Sequence, residues 1–393
     1  MEERAEDSDF KYLLYENIIK QWEKFDYYRI ICKKKGYRLE DLKKIINNEE
    51  YYHLPSVIST AFKKSRGLIK NLNDLSMDGK FQVSSSTSGD PSYIYTSPVE
   101  SARVLNNYRL TFGIDGVSKA LAFSPSIKIL SAISRKSAYL GKKSIARMKY
   151  ALDAALLHYR DITFTVDINV ILTIPSLVFK GNPVLKKTSL QEVINIIKES
   201  EKNNENISIG GIVLLLAPYL DQMKKDHFTF NDNLHVVLSG GGYSGSKGSI
   251  KGKKIIKSQL VESISNIFGM ERKYFSTNIK DIYGFTECAS THEGYWSEEL
   301  GDFKFTTWKD SRAYIVDPET EKPLKHGEGL LKFITPYSDG NPSSCNVSLL
   351  QCDLATIINN QDDYMVTEFS YIKRLQTSSV EGCAYKAEAV SNK

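Results

Sequence analysis

Between residues 104 and 269, segments with apolar residues at helical spacing alternate with short runs that are apolar almost throughout. Few folds accommodate that alternation. Ile145, Met148, Leu152, Ala155, Leu156 and Tyr159 share one helical face, as do Leu190, Val193, Ile194 and Ile197. Ile256, Leu260, Ile264 and Ile267 form a third such face, with Gly269 placed as a helix stop. Residues 164–174, 211–217 and 234–238 lie between them and have strand character without a polar side. Strands buried on both faces and separated by helices imply an α/β fold, with mainly parallel sheets flanked by crossover helices. After about residue 300 the pattern is purely β: 312–316, 330–335 and 364–372 are set off by Asp-Pro, Gly-Glu-Gly and Ser-Asp-Gly-Asn-Pro turns. The predicted organisation is a helical segment over 1–80, in which Leu14, Ile18, Trp22 and Phe25 form the first apolar face, an α/β core over 81–300 and a β-rich part over 301–393.

The chain has 393 residues and a net charge of +5, too small for its size to predict a nucleic-acid partner. Its longest apolar stretches fall well short of the roughly 20 residues that span a bilayer. The acidic amino terminus has no apolar run behind it, so no secretory signal is predicted and no membrane insertion. Five cysteines in so long a chain are no disulfide framework, and a reducing, cytoplasmic location is expected. The six histidines show no metal-ligand spacing, and Gly-x-Ser-x-Gly is absent.

Three segments carry chemistry. Six of the nine residues from Ser84 to Ser92 bear hydroxyls, and Ser84, Ser85, Ser86, Thr87, Ser88 and Gly89 form a loop able to converge N–H and O–H donors on a phosphate. Gly240, Gly241 and Gly242 follow a predicted strand, where an α/β sheet places its ligands and glycine permits close approach. Read alone, a polar linker accounts for the first and a tight turn for the second. The third, Tyr283-Gly284-Phe285-Thr286-Glu287, is more specific: an aromatic able to stack on a base, a hydroxyl for a phosphate oxygen and a carboxylate for Mg2+ fall within five residues.

In this order, with about 150 residues and then about 40 between them, the three segments resemble the phosphate loop, adenine-binding strand end and Tyr-Gly-x-Thr-Glu motif of the adenylate-forming acyl ligases. Within that superfamily the chain is most similar to the acyl-protein synthetases of the LuxE type and to the phenylacetate–CoA ligases. The run Gly240-Gly241-Gly242 with the following Gly/Lys-rich stretch carries that resemblance, together with Ser348-Leu349-Leu350-Gln351-Cys352-Asp353-Leu354 and Glu381-Gly382-Cys383-Ala384. Only 19 residues follow Arg374. The full mobile carboxyl-terminal domain of the common ligases is therefore expected to be lacking, as in LuxE-type proteins.

The resemblance implies ATP and Mg2+ as cofactors and a carboxylic acid, in this group a fatty one, as substrate. Ser84, Ser85, Ser86, Thr87, Ser88 and Gly89 would hold the β- and γ-phosphates. Thr286 would bind the α-phosphate, Glu287 the metal, and Gly240–242 with Tyr283 and Gly284 the adenine. Asp353 and Arg374 would reach the ribose, and Cys383 would accept the acyl group as a thioester. Acyl-pocket walls are expected from dispersed segments that include residues 121–125 and those near 235. Cys32, Cys288, Cys345 and Cys352 are expected to be packing residues. The phosphate loop departs from the family pattern at Ser86 and Ser88, Asp90-Pro91-Ser92 stands where a lysine is usual, and residue 381 is Glu in place of Arg. Three readings stay open: an acyl-protein synthetase with an acyl-accepting reductase partner, a ligase that uses coenzyme A, and a catalytically degenerate binding subunit.

Overall fold

The computed structural model describes residues 7–63, 78–84, 91–136, 138–139, 142–168, 185–230, 232–247, 250–288, 290–308, 310–336, 344 and 346–375. Its centre is five parallel strands laid side by side: Asp161–Ile168, Lys119–Pro125, Ile207–Ile212, Leu234–Ser239 and Ile279–Gly284. Leu121, Phe123, Ile209, Val236, Leu238 and Ile279 are almost wholly buried, as continuous apolar runs require. Helices Leu190–Lys202, Val213–Gln222 and Lys257–Phe268 pack into the same core through Val193, Ile197, Leu216, Leu260 and Ile264.

Local chemistry sets where these helices begin and end. Ser189 and Ser97 each accept the N–H of a glutamate three residues on, while that glutamate binds the serine's own N–H. At the far end of Lys257–Phe268, Gly269 takes the left-handed conformation (φ 65°) that closes a helix.

One strand expectation is corrected. The run 211–217 is not a strand: Ile207–Ile212 ends there, and Val213–Gln222 is a helix with Pro218 inside it. A short, wholly apolar run does not distinguish a buried strand from a buried helix, and consecutive leucines favour the helix. Gly211 marks the switch, since its φ is +122° and a Cβ there would lie 2.6 Å from the Phe123 carbonyl. The strand expected over 164–174 is described as Asp161–Ile168, and residues 169–174 lie outside the described set.

Beyond Ile279–Gly284 the same sheet turns antiparallel, through Thr291–Ser297, Asp302–Thr306, Met365–Arg374, Arg312–Val316, Glu328–Ile334 and Ser348–Gln361. It curls until Ser348–Gln361 also pairs with Met365–Arg374. The amino-terminal helices Asp7–Lys24, Asp26–Lys34 and Leu39–Asn47 bury Leu14, Ile18, Tyr28 and Leu42 in one core with Tyr314, Leu330, Leu349 and other residues of these strands. Trp22 and Phe25 pack against that core half-buried. Val57–Ile58 adds a parallel edge to Leu349–Leu350.

Lys332 secures this junction. Its buried Nζ donates to the carbonyls of Tyr52 (2.7 Å) and Leu54 (2.6 Å). Burial pushes its pKa down to about 7; Lys35 adds to this and Glu321 opposes it. Between about pH 7 and the ordinary lysine range near 10.4, the unfolded chain therefore holds a proton that the folded chain has shed, and stability rises with pH. We expect the stability advantage of the wild type over Lys332→Met to grow from pH 7 to 9.5, with a slope approaching about 1.4 kcal/mol per pH unit. Urea unfolding at the two pH values measures it, and an advantage independent of pH would contradict the assignment.

Candidate active site

Parallel register brings two of the three sequence motifs together. Leu238 and Ser239 pair with Asp281 and Ile282, so the chain leaves both strands at the same edge, into Gly240–242 on one side and Tyr283–Glu287 on the other. Gly240, Gly241 and Gly242 are all left-handed (φ 75°, 63° and 94°), a sequence of angles that side chains with a Cβ rarely adopt. The Gly245 N–H donates to the Gly242 carbonyl at 2.9 Å and closes the turn. Tyr243 points back beneath it, its hydroxyl donating to Asp281 Oδ2 at 2.9 Å. Burial raises the pKa of Asp281, and its Oδ1 has no hydrogen-bond partner.

On the second loop, the Tyr283 hydroxyl donates to Asp353 Oδ2 at 2.9 Å, while Arg374 Nη1 donates to Asp353 Oδ1 at 3.0 Å. Asp353 and Arg374 are direct cross-strand partners, and the antiparallel pairing of their strands sets this contact. Burial, then the charge of Asp353, hold the Tyr283 phenol protonated well above its ordinary range. The Tyr283 ring lies among Phe285, His292, Phe305, Phe333 and Phe369, with ring centroids 5.7–6.4 Å away. His292 stacks on Phe333 at 4.6 Å, and burial pushes its pKa down to about 3, so it packs as a neutral ring.

Thr286 and Glu287 are buried. The Glu287 carbonyl accepts from Asn346 Nδ2 at 2.5 Å, but among the described residues its carboxylate has neither an ion pair nor a hydrogen bond. A carboxylate left free in this way is able to take a cation, and a divalent metal with oxygen ligands fits it. Among the described residues no group of three or more His, Cys, Asp or Glu could hold a metal by itself, so nucleotide phosphate oxygens would have to complete such a site.

Of the hydroxyl loop, only Ser84 is described. It closes the stem with Ser92: the Ser84 N–H donates to the Ser92 carbonyl (3.0 Å) and the Ser92 N–H to Ser84 Oγ (2.8 Å). Ser85, Ser86, Thr87, Ser88 and Gly89 lie outside the described residues, as do Cys345 and Cys383. Cys32, Cys288 and Cys352 are buried free thiols; burial raises the pKa of Cys32 to about 12.

Two features carry no sequence signature. Arg147, the first residue of helix Arg147–His158, is buried between the stem of the hydroxyl loop and the Tyr283–Glu287 loop. Nothing in its spacing or neighbours marks it as more than a surface cation at a helix start. Behind that helix lies an apolar cavity of about 70 Å³, walled by Phe112, Leu121, Met148, Leu152, Phe164 and Val237, with Ser239 at the edge next to Gly240. Leu121, Ala122, Ser124 and Val237 come from the two segments where pocket walls were expected.

A family model described as acyl-protein synthetase, LuxE, matches the chain over residues 2–391. No protein of curated function matches it in sequence. The fold is similar to that of a 2-hydroxyisobutyryl-CoA ligase solved in the postadenylation state with 2-HIB-AMP. The TM-score is 0.55 at 14% identity, over 93% of this chain and 67% of that one. Weaker likenesses include O-succinylbenzoate coenzyme A synthetase from Bacillus subtilis in complex with AMP (TM-score 0.42, 15% identity, 76% of this chain and 62% of that one). Another is fatty acyl-adenylate ligase from L. pneumophila with acyl adenylate and pyrophosphate (0.41, 10%, 78% and 52%). The chain thus spans about two thirds or less of the solved structures it matches.

A Cβ on Gly241 would meet nothing within 4 Å, so backbone conformation alone requires glycine there. Gly241→Ala should cost about 1–2 kcal/mol, and Gly241→Asn clearly less, because asparagine tolerates the left-handed region. Chemical denaturation of both variants checks this, and equal costs would show that something other than φ constrains the position.

Proposed function

The chain belongs to the LuxE family of acyl-protein synthetases, ATP-dependent ligases that activate a carboxylic acid as acyl-AMP, and we propose that its acid is aliphatic and that Cys383 receives the acyl group. The observation that carries this reading is the convergence at one sheet edge of the Gly240–242 turn and the Tyr283–Glu287 loop, with Asp353 bound between Tyr283 and Arg374. The apolar cavity that reaches Ser239 beside that edge supports an aliphatic chain, since its wall offers a carboxylate's tail hydrocarbon surface and few polar partners.

In this reading the acid's carboxylate oxygen attacks the α-phosphorus of ATP, the bond to the bridging oxygen breaks, and pyrophosphate leaves. The chain contributes position and charge compensation. The turn at Gly240, Gly241 and Gly242 gives the adenine a close approach to backbone next to Tyr283 and Gly284. Asp353, already an acceptor for Tyr283 and Arg374, has the acceptor capacity a ribose hydroxyl needs. Thr286 offers its hydroxyl to the α-phosphate, and the loop Ser84–Ser85–Ser86–Thr87–Ser88–Gly89 offers donors to the β- and γ-phosphates. Glu287 would hold Mg2+, which when bound neutralises phosphate charge. The Cys383 thiolate then attacks the acyl carbon, a thioester forms and AMP departs. A reductase partner would be the next acceptor. No described helix is long and apolar enough to cross a membrane, and the free thiols are in keeping with a reducing, cytoplasmic location.

The test is acid-dependent exchange of labelled pyrophosphate into ATP, run with short, aromatic and long-chain acids. We expect exchange with aliphatic acids and at least a tenfold fall in Glu287→Gln with the fold intact. A hydroxylamine-labile acyl group should appear on the wild type and not on Cys383→Ser. Acyl-CoA formation that survives Cys383→Ser would move the acceptor role to coenzyme A. No exchange with any acid, from folded protein, would leave a nucleotide-binding subunit without ligase activity.

A further inference from the structure

Arg147 is 7% exposed. Its Nε donates to the Tyr108 hydroxyl at 3.2 Å, its Nη2 to the Cys288 carbonyl at 2.7 Å and its Nη1 to the side-chain oxygen of Gln82, which Thr96 holds through the other end of the amide. The guanidinium also lies 5.1 Å from the Tyr108 ring centroid. All of these partners are neutral, and among the described residues no carboxylate pairs with Arg147. Removing an ion from water costs several kcal/mol unless an opposite charge or good hydrogen bonds compensate.

The other enclosed cations among the described residues are handled differently. Buried Lys280 has Glu293 at 3.1 Å, and half-buried Lys257 has Asp302 at 2.5 Å. Lys332 has no carboxylate, but burial brings its pKa to about 7, so it can give up its proton. Arginine has no such escape at any physiological pH. Arg147 therefore stays a cation in a low-dielectric place, where attraction for an incoming anion is strongest, and two of its five N–H groups are not used by the bonds above.

The position is as specific as the charge. Ala146 pairs with Val83, and Arg147 and Ser84, the first residue of the hydroxyl loop, each follow this last pair in the chain. Cys288 directly follows Glu287, and the Tyr108 hydroxyl lies 3.8 Å from where a Cβ on Gly284 would be. One side chain thus bonds Gln82, on the strand entering the first motif, and Cys288, just past the end of the third. The loop itself carries no cation between Ser84 and Ser92, and it includes Asp90.

We propose that Arg147 is an anion-positioning residue of the ligase reaction: it ties the strand Lys80–Val83 to the backbone that follows Glu287 and supplies positive charge for the polyphosphate of ATP. The inference rests on the nucleotide-site reading above. It concerns phosphate and not the nucleoside, and this makes it separable from a role in folding alone.

Calorimetric titration of the full chain with ATP, pyrophosphate and adenosine, for wild type, Arg147→Gln and Arg147→Lys, tests it alongside thermal melts. Arg147→Gln should weaken ATP and pyrophosphate about tenfold or more and leave adenosine within about threefold, whereas Arg147→Lys, assayed near pH 6 where a buried lysine such as Lys332 keeps its proton, should keep ATP within about threefold. Equal losses for ATP and adenosine, or no loss for either, in folded Arg147→Gln would overturn the inference while leaving the nucleotide site standing. If Arg147→Gln does not fold, Arg147→Lys near pH 6 decides: an ATP loss of about tenfold with the lysine protonated refutes the role. Wild type that binds neither ATP nor adenosine would remove the nucleotide-site reading and this inference with it.

Discussion

A parallel strand buried on both faces has only its neighbours to satisfy its backbone, and every one of its ends on a given side must face the same way. The pairing of Leu234–Ser239 with Ile279–Gly284 is where this constraint acts on function. Because the two strands run in step, the three left-handed glycines and the Tyr283–Glu287 loop emerge side by side, although they are separated by about 40 residues of chain. The antiparallel strands that follow are a continuation of the same sheet, and their curl returns Asp353 and Arg374 to the Tyr283 hydroxyl. The amino-terminal helices add bulk to the outer face of that curl and share its core. Each layer is placed by the one before it.

Charge is the second organising quantity. Among the described residues, three buried basic side chains and the half-buried Lys257 are held in three ways: Lys257 and Lys280 against carboxylates, Lys332 on two carbonyls with its proton easily shed, and Arg147 on neutral acceptors with a charge it cannot lose. The first two arrangements suit structure, since they leave no net field. The third lies between the stem of the hydroxyl loop and the end of the Tyr283–Glu287 loop, where Glu287 provides an enclosed carboxylate without a partner among the described residues. On the proposed reading, this unpaired cation and this unpaired anion would meet a ligand of mixed charge, such as a metal-bound polyphosphate.

How far the sequence could be read depended on whether a residue's task was local. The faces of Leu190–Lys202 and Lys257–Phe268, the stop at Gly269 and the strands Leu234–Ser239 and Arg312–Val316 followed from spacing, because burial imposes a period on the chain. The misreading of 211–217 has the same origin. Where every residue is apolar, the period disappears and only tertiary packing tells helix from strand. Asp353 and Arg374 were legible through motif resemblance, yet their mutual bond is a product of cross-strand register.

Arg147 and the cavity behind it show the opposite case. No period or motif distinguishes this arginine from any basic residue at a helix start, because its meaning lies in Gln82, Tyr108 and Cys288, which are far apart in sequence. The sequence by itself determined the α/β class, the β-rich carboxyl-terminal part, the order of the motifs and the family they resemble, all of which depend on local pattern. Tertiary structure alone decided which cations stand unpaired, which motif residues meet and how the apolar cavity is closed. Those properties are sums over groups that only folding brings within a few ångströms, where Coulomb attraction and packing first become strong.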